Sequence, residues 1–184
     1  MHPVKYLWGI RALLYYPFLG RIGFPSYIGK PCFVEGAKNI FIDKNVRIFP
    51  GLRIQTMNNG VIKIGCNTAI EQNVHITCSS IELNIGKDVT VLGNTFITNI
   101  DHLYQDINLS TLNQGISVKE TSIGDGCFIG FGVAIQAGTK LGKHCVVGTN
   151  SVVRGEYPDY SVIVGNPARV VKRYNHQSGE WERV

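Results

Sequence analysis

The sequence predicts an all-β solenoid, in which short parallel strands wind into triangular coils stacked along one axis. Three observations carry this expectation. Ile123, Ile129, Ile135, Leu141, Val147 and Val153 recur at every sixth position without a miss. Neither a helical repeat nor the alternation of a strand produces that period, whereas a fixed internal repeat marks a solenoid. Glycines 124, 130, 142 and 148 directly follow four of these aliphatics, where a tightly turning backbone leaves no room for a Cβ. Four residues after each aliphatic comes a small side chain: Cys127, Val133, Thr139, Cys145 and Ser151. One large and one small inward position per hexad suit a short straight face, and three such faces make a coil of about eighteen residues. Coils stack at a sheet spacing of about 4.8 Å, so about five or six of them give a prism under roughly 30 Å tall. An antiparallel sandwich would not keep its spacing locked at six.

Residues 1–27 stand outside the repeat and form an N-terminal cap or helix. The stretch Met1–Gly20 is rich in Leu, Tyr, Trp and Phe, and Pro17 ends any helix there. Its longest uncharged run, Ala12–Gly20, is too short to span a bilayer, and the absence of a small-residue cleavage site argues against a signal peptide. Two roles are open: a cap over the end of the prism, and a peripheral contact of residues 1–20 with the inner membrane surface.

The repeat domain extends over 28–174. Its upstream rungs read Ile28, Val34, Ile40, Val46, Leu52, then Ile64, Ile70, Ile76, and after three extra residues Ile85, Val91, Ile97. Asn58-Asn59-Gly60 between two blocks reads as a tight turn. Residues 98–122 break the ladder. An excursion of that length from a regular scaffold is usually functional, and its Ile, Leu and Tyr content argues against disorder. After Val153 the chain is expected to leave the solenoid, and 175–184 reads as a loose or helical tail.

One domain of 184 residues is large enough for a continuous core. The net charge of +5 is spread along the chain, which suits a phosphate-bearing ligand or an anionic surface and lacks the basic stripe of a nucleic-acid binder. Of five cysteines, Cys32, Cys127 and Cys145 fall on the small inward position, with Cys127 and Cys145 one coil apart and stacked. No C-x-x-C occurs, so no zinc knuckle or redox pair is expected, and reduced core thiols suit the cytoplasm.

Among the histidines, His2 and His176 lie near the ends and read as solvated, and His144 reads as outward-facing beside Cys145. His75 precedes the inward Ile76 and suits an edge or subunit contact. His102 opens the long loop just after the rung Ile97, where a general base would be held firmly beside a cleft.

The Ile-Gly-x4 ladder, the loop beginning Ile100-Asp101-His102 and the ending Val164-Gly165-Asn166-Pro167-Ala168-Arg169-Val170 resemble the hexapeptide-repeat acyltransferases. Within them the chain is most similar to the O-acetyltransferases of bacterial surface polysaccharides. The resemblance covers about 28–174. It implies a left-handed parallel β-helix, a homotrimer with active sites between subunits, and acetyl-CoA as co-substrate with no metal. It implies His102 as the base that takes the acceptor's hydroxyl proton, and a backbone N–H near Gly130 and Phe131 for the oxyanion. Asp101 would either orient His102 or bind acceptor hydroxyls. Asn73 matches an acceptor-binding amide, and His75 and Tyr104 join it as substrate-binding candidates. Gly148, Thr149 and Gly165 would lie along the pantetheine arm, and Arg169 with Lys172 or Arg173 would meet the nucleotide phosphates. Arg154 stands where relatives carry Thr-Lys and is expected to substitute in cofactor binding.

The implied function is transfer of acetyl from acetyl-CoA to a sugar hydroxyl of a surface polysaccharide, in the cytoplasm or at the inner face of the membrane. Alternatives are a non-catalytic β-helix scaffold and an acetyltransferase for a small sugar or amino-sugar acceptor. A zinc carbonic anhydrase on the same prism would need histidines closer together than His75, His102 and His144. Amino-sugar nucleotide and serine acetyltransferases usually carry larger N-terminal regions than 27 residues supply.

Overall fold

Three parallel sheets form the faces of a prism in this computed structural model, which describes residues 3–184; His2 lies outside the described residues. Face 1 stacks Arg21–Ile22, Ile40–Ile42, Val61–Ile64, Glu82–Ile85, Thr121–Ile123, Lys140–Leu141 and Glu156–Tyr157. Face 2 stacks Tyr27–Ile28, Arg47–Ile48, Ala69–Ile70, Thr90–Val91, Phe128–Ile129, Val146–Val147 and Ser161–Gly165. Face 3 stacks Phe33–Glu35, Arg53–Met57, His75–Ser79, Phe96–Thr98, Ala134–Ile135 and Val152–Val153.

Each strand pairs with its equivalents one coil away, so side chains of one kind pile into columns. On face 2 the column runs Ile28, Ile48, Ile70, Val91, Ile129, Val147 and Ile163. β-branched side chains suit this because their stiff χ1 packs well on a pleated surface. Nearly all of these rungs are fully buried, and each contributes about 1.5–3 kcal/mol of apolar burial. The glycine after a rung is forced by the stacking. A Cβ on Gly124 would lie 2.6 Å from the carbonyl carbon of Gly142 in the next coil.

The early register differs from the spacing argument. The face rungs of the second coil are Ile42, Ile48 and Ile54, while Val46 and Leu52 fill the second inward position, as Cys127 and Val133 do later. A short 3₁₀ turn, Ala37–Asn39, adds two residues between Val34 and Ile42 and shifts the frame. Strand pairing also begins before residue 28, since Arg21 and Ile22 already pair with Phe41 and Ile42. Cys32 is exposed rather than inward. It lies in the first coil, with its thiol on the Gly51 carbonyl. Cys127 and Cys145 are buried, and a hydrogen bond from one thiol to the other, with burial, pushes the Cys127 pKa up.

All length variation falls at one corner. From face 1 to face 2, and from face 2 to face 3, successive rungs stay six residues apart. From face 3 back to face 1 they run Val34 to Ile42, Ile54 to Ile64, Ile76 to Ile85 and Ile97 to Ile123. The Asn58-Asn59-Gly60 turn is one of these, with φ of 49° and 61° at the asparagines and the Gly60 N–H on the Met57 carbonyl.

The N-terminal helix spans Val4–Tyr15. Ala12, Tyr15 and Leu19 pack on the core, Trp8 sits against Tyr27 and Phe49, and Arg11 donates to the Ile28 carbonyl at 3.1 Å. Its other side leaves Leu7, Ile10, Leu13 and Leu14 exposed. At the far end the solenoid continues past Val153 through Glu156–Tyr157 and Ser161–Gly165. The chain then reverses. Ala168–Asn175 runs antiparallel to the last face 2 strand, and Glu180–Arg183 runs antiparallel to it in turn. The end of the chain is therefore a hairpin rather than a loose or helical tail. Asn175 accepts the Gln177 N–H at the turn, and Trp181 packs on Tyr174.

Candidate active site

The excursion after Ile97 is a hairpin of Ile100–His102 against Ile116–Val118. Its base is pinned. The fully buried Asn99 accepts the Ser79 N–H and donates to the Ser79 carbonyl, both at 2.9 Å, while its own carbonyl accepts from Lys119 N–H. Thr121 donates to the Thr98 carbonyl alongside. Buried polar groups satisfied in this way fix one geometry. Asn99 carried no signal in the sequence, because an asparagine at a loop mouth reads as surface.

Between this hairpin and the outer surface of face 3 lies a cleft of about 390 Å³. Alternation along the strands turns Arg53, Gln55, His75, Thr77, Phe96 and Thr98 outward to form its floor, and Asp101, His102 and Ile116 border it from the hairpin. His102 is exposed at the rim. The His75 Nε2 lies 3.0 Å from the Thr77 hydroxyl and its ring lies 5.1 Å from that of Phe96. Burial, then the nearby Arg53 cation, hold the His75 pKa below its ordinary value and favour the neutral ring. Arg53 stacks its guanidinium 4.5 Å over Phe33 and donates Nε–H to Gln55.

Asp101 is committed elsewhere. Its carboxylate accepts from Lys119 at 3.0 Å and from Arg154 at 2.9 Å. This tether ties the hairpin to a coil two turns later. It puts Arg154 at the corner between faces 3 and 1, away from the other cofactor candidates. A second recess beside the tether is lined by His102, Tyr104, Lys119 and Arg154, so Tyr104 faces this recess and not the floor with His75.

Gly130, Phe131, Gly148, Thr149 and Gly165 come together at the corner between faces 2 and 3, on successive coils. His75 and Phe96 are the first residues of their strands beside that same corner. The Gly130 N–H already donates to the Val147 carbonyl at 2.8 Å, and Gly148 donates to Ile163. The Gly130 donor is therefore spent within the scaffold, which narrows the oxyanion expectation to the Phe131 amide. Arg169 and Lys172 pair with Val164 and Val162 and share the outer surface of face 2, around the corner from the cleft. Asn73 is not brought into the cleft lining; it occupies a corner turn with φ of 57°. His144 and His176 belong to a separate aromatic cluster around Tyr160, with ring centroids 5.5 and 5.0 Å away. Among the described residues no three His, Cys, Asp or Glu side chains come together as a metal site.

Parallel coils of hexads with additions confined to one corner define a class, the hexapeptide β-solenoids. The family described as bacterial transferase hexapeptide (six repeats) matches residues 120–155. The Escherichia coli K12 protein WbbJ, whose name describes a lipopolysaccharide biosynthesis O-acetyl transferase, is 34% identical over 84% of this chain and 82% of its own length. A Mycobacterium tuberculosis protein named as an acetyltransferase is 35% identical over 62% of this chain and 38% of its own. Among solved structures, the Bacillus cereus N-acyltransferase AntD superposes with a TM-score of 0.78 at 17% identity, covering 91% of this chain and 90% of its own. A galactoside acetyltransferase with coenzyme A superposes at 0.63 and 20%, covering 97% and 76%. Likeness at those identities speaks for the fold. The chain belongs to the hexapeptide-repeat acyltransferase family.

Proposed function

We propose that the protein transfers acetyl from acetyl-CoA to a hydroxyl of a sugar destined for a bacterial surface polysaccharide, with His102 as general base. The observation that carries this reading is the convergence of His102, on a pinned hairpin, with a cleft whose floor opens toward the glycine-rich corner of late coils. The likeness to WbbJ over most of both chains supports the acceptor class.

In this reading the acceptor sugar lies in the cleft beside Thr77 and Thr98, with Phe96 offering an apolar ring to a sugar face. The thioester arrives along the corner of Gly130, Phe131, Gly148 and Thr149. His102 takes the hydroxyl proton as the oxygen attacks the thioester carbonyl. The tetrahedral oxyanion is met by the Phe131 amide. Collapse breaks the C–S bond, the acetyl ester stays on the sugar, and the thiolate takes the proton back from His102. Asp101 acts through the hairpin's position, since Lys119 and Arg154 hold its oxygens. Arg169 and Lys172 offer charge to the nucleotide phosphates from face 2.

The reading includes a homotrimer. It also includes a peripheral membrane contact through Leu7, Ile10, Leu13 and Leu14, which the helix presents outward. No described helix is long and apolar enough to cross a membrane. Because Ala12, Tyr15 and Leu19 pack on the core, that contact is tested by Leu7→Ser with Leu13→Ser rather than by deletion; unchanged co-sedimentation with lipid vesicles would dismiss it. The enzyme reading is tested by chromatographic detection of free CoA with a panel of bacterial glycans, wild type against His102→Ala. Acceptor-dependent release abolished by the substitution is expected. Failure of the protein to bind acetyl-CoA would overturn the reading in favour of a scaffold.

A further inference from the structure

Resting on the acetyltransferase reading, we infer that the acceptor carries a negative charge, a carboxylate or phosphate on the sugar unit, and that Arg53 reads it. Arg53 is the cation on the cleft floor, two coils below the level at which the hairpin leaves the prism. Its contacts are those of a group held in place and not neutralised: Nε–H on Gln55 at 3.0 Å and the guanidinium plane over Phe33. Among the described residues no carboxylate pairs with it. Glu35, whose register partner is Gln55, makes no ion pair with it. With its plane over Phe33 and its Nε on Gln55, Arg53 keeps two terminal nitrogens that make no hydrogen bond or ion pair among the described residues, the fork that matches an anionic oxygen pair.

The surroundings point the same way. Around His102 the charged side chains are Arg53, Lys119 and Arg154 against a single acid, Asp101, whose oxygens Lys119 and Arg154 already hold. The basin therefore keeps a positive excess with no internal partner, which favours an anion over a neutral ligand. The candidate cofactor cations, Arg169 and Lys172, lie on the outer surface of a different face, so this excess belongs to the acceptor's side. His75 fits as a neutral neighbour. With its charge suppressed by burial and by Arg53 itself, it offers a hydrogen bond to a hydroxyl and does not compete for the anion.

The test compares methyl glucoside, methyl glucuronide and glucose 6-phosphate, with wild type, Arg53→Gln and Arg53→Lys. Binding is read by saturation-transfer NMR in the presence of CoA, and turnover by CoA release. Wild type should favour one charged acceptor by about tenfold or more at low salt, with the preference shrinking as salt rises. Arg53→Gln should raise KM for that acceptor by about tenfold, and by more than it raises KM for the neutral sugar, so that the charge preference is lost. Arg53→Lys should restore part of the preference. Glucuronide against phosphate decides which anion is read. Equal binding of charged and neutral sugars, or binding of neither charged sugar, overturns the inference. Charge-selective binding lost in Arg53→Gln supports it even where no acetyl is transferred, and that result would strike the enzyme reading alone.

Discussion

Two corners of the prism hold the chain to six residues between rungs through every coil, while the third absorbs additions of any length. Both kinds of corner close the same triangle. At the regular ones glycines sit against the backbone of the next coil, as Gly124 does against Gly142 and Gly130 against Thr149. Nothing can be added there without displacing a column of isoleucines. The third corner follows a face whose strands can run on before the chain turns back, as Arg53–Met57 and His75–Ser79 do. The hairpin of Ile100–His102 and Ile116–Val118 is the longest of these additions. The scaffold thus separates a region where sequence must serve stacking from one where sequence is free to serve chemistry.

The largest effect should come from breaking the regular corner. Two residues inserted after Gly124 would move every later rung off its column, and the protein should lose its cooperative thermal transition by circular dichroism. The same insertion between Asn58 and Asn59 should lower Tm by only a few degrees, since lengthening a loop costs about 0.6 kcal/mol per doubling. Equal loss in both would erase the distinction between corners. Next, His102→Ala should lower kcat by about 10²–10⁴ with acetyl-CoA affinity little changed. A drop under tenfold would move the base to another residue, His75 first.

A smaller effect is expected at the tether. Arg154→Gln should reduce kcat by less than about tenfold and leave stability within about 1 kcal/mol, because the pair is half-exposed. A raised KM for acetyl-CoA would instead return Arg154 to the cofactor. The smallest effect concerns His75. A histidine whose folded pKa is depressed contributes stability that is present above its unfolded value and lost as pH falls through the folded one. Stability should therefore sag below about pH 6.5, and His75→Gln should flatten that sag in urea melts taken from pH 5 to 8. An NMR titration placing His75 at or above the ordinary value would refute this.

The sequence made the columns legible from Ile123 to Val153 because no insertion interrupts them. It misplaced the second coil by two residues, since the turn Ala37–Asn39 has no glycine or proline signature of its own beyond Gly36. His102 was legible because a histidine at a scaffold-to-loop junction is conspicuous. Arg53, Gln55 and Thr77 were not. They reach the cleft through stacking of coils of unequal length, so no fixed spacing links them to His102. Arg154 was read by position alone, and only the fold reveals Asp101 as its partner.

The two ends of the prism have a consequence for solubility. A parallel stack of identical strand columns offers, at each end, a row of unpaired backbone groups ready to seed a fibre of further copies. Here the chain blunts face 2 at one end by folding back on itself, and the outermost strand carries Glu180, Glu182 and Arg183. At the other end a helix, which cannot extend a ladder, lies over the first coil. Face 2 is thus ended by a hairpin that turns its ladder back, and the first coil carries a helix that cannot extend one, so each end bears a segment that breaks the pattern.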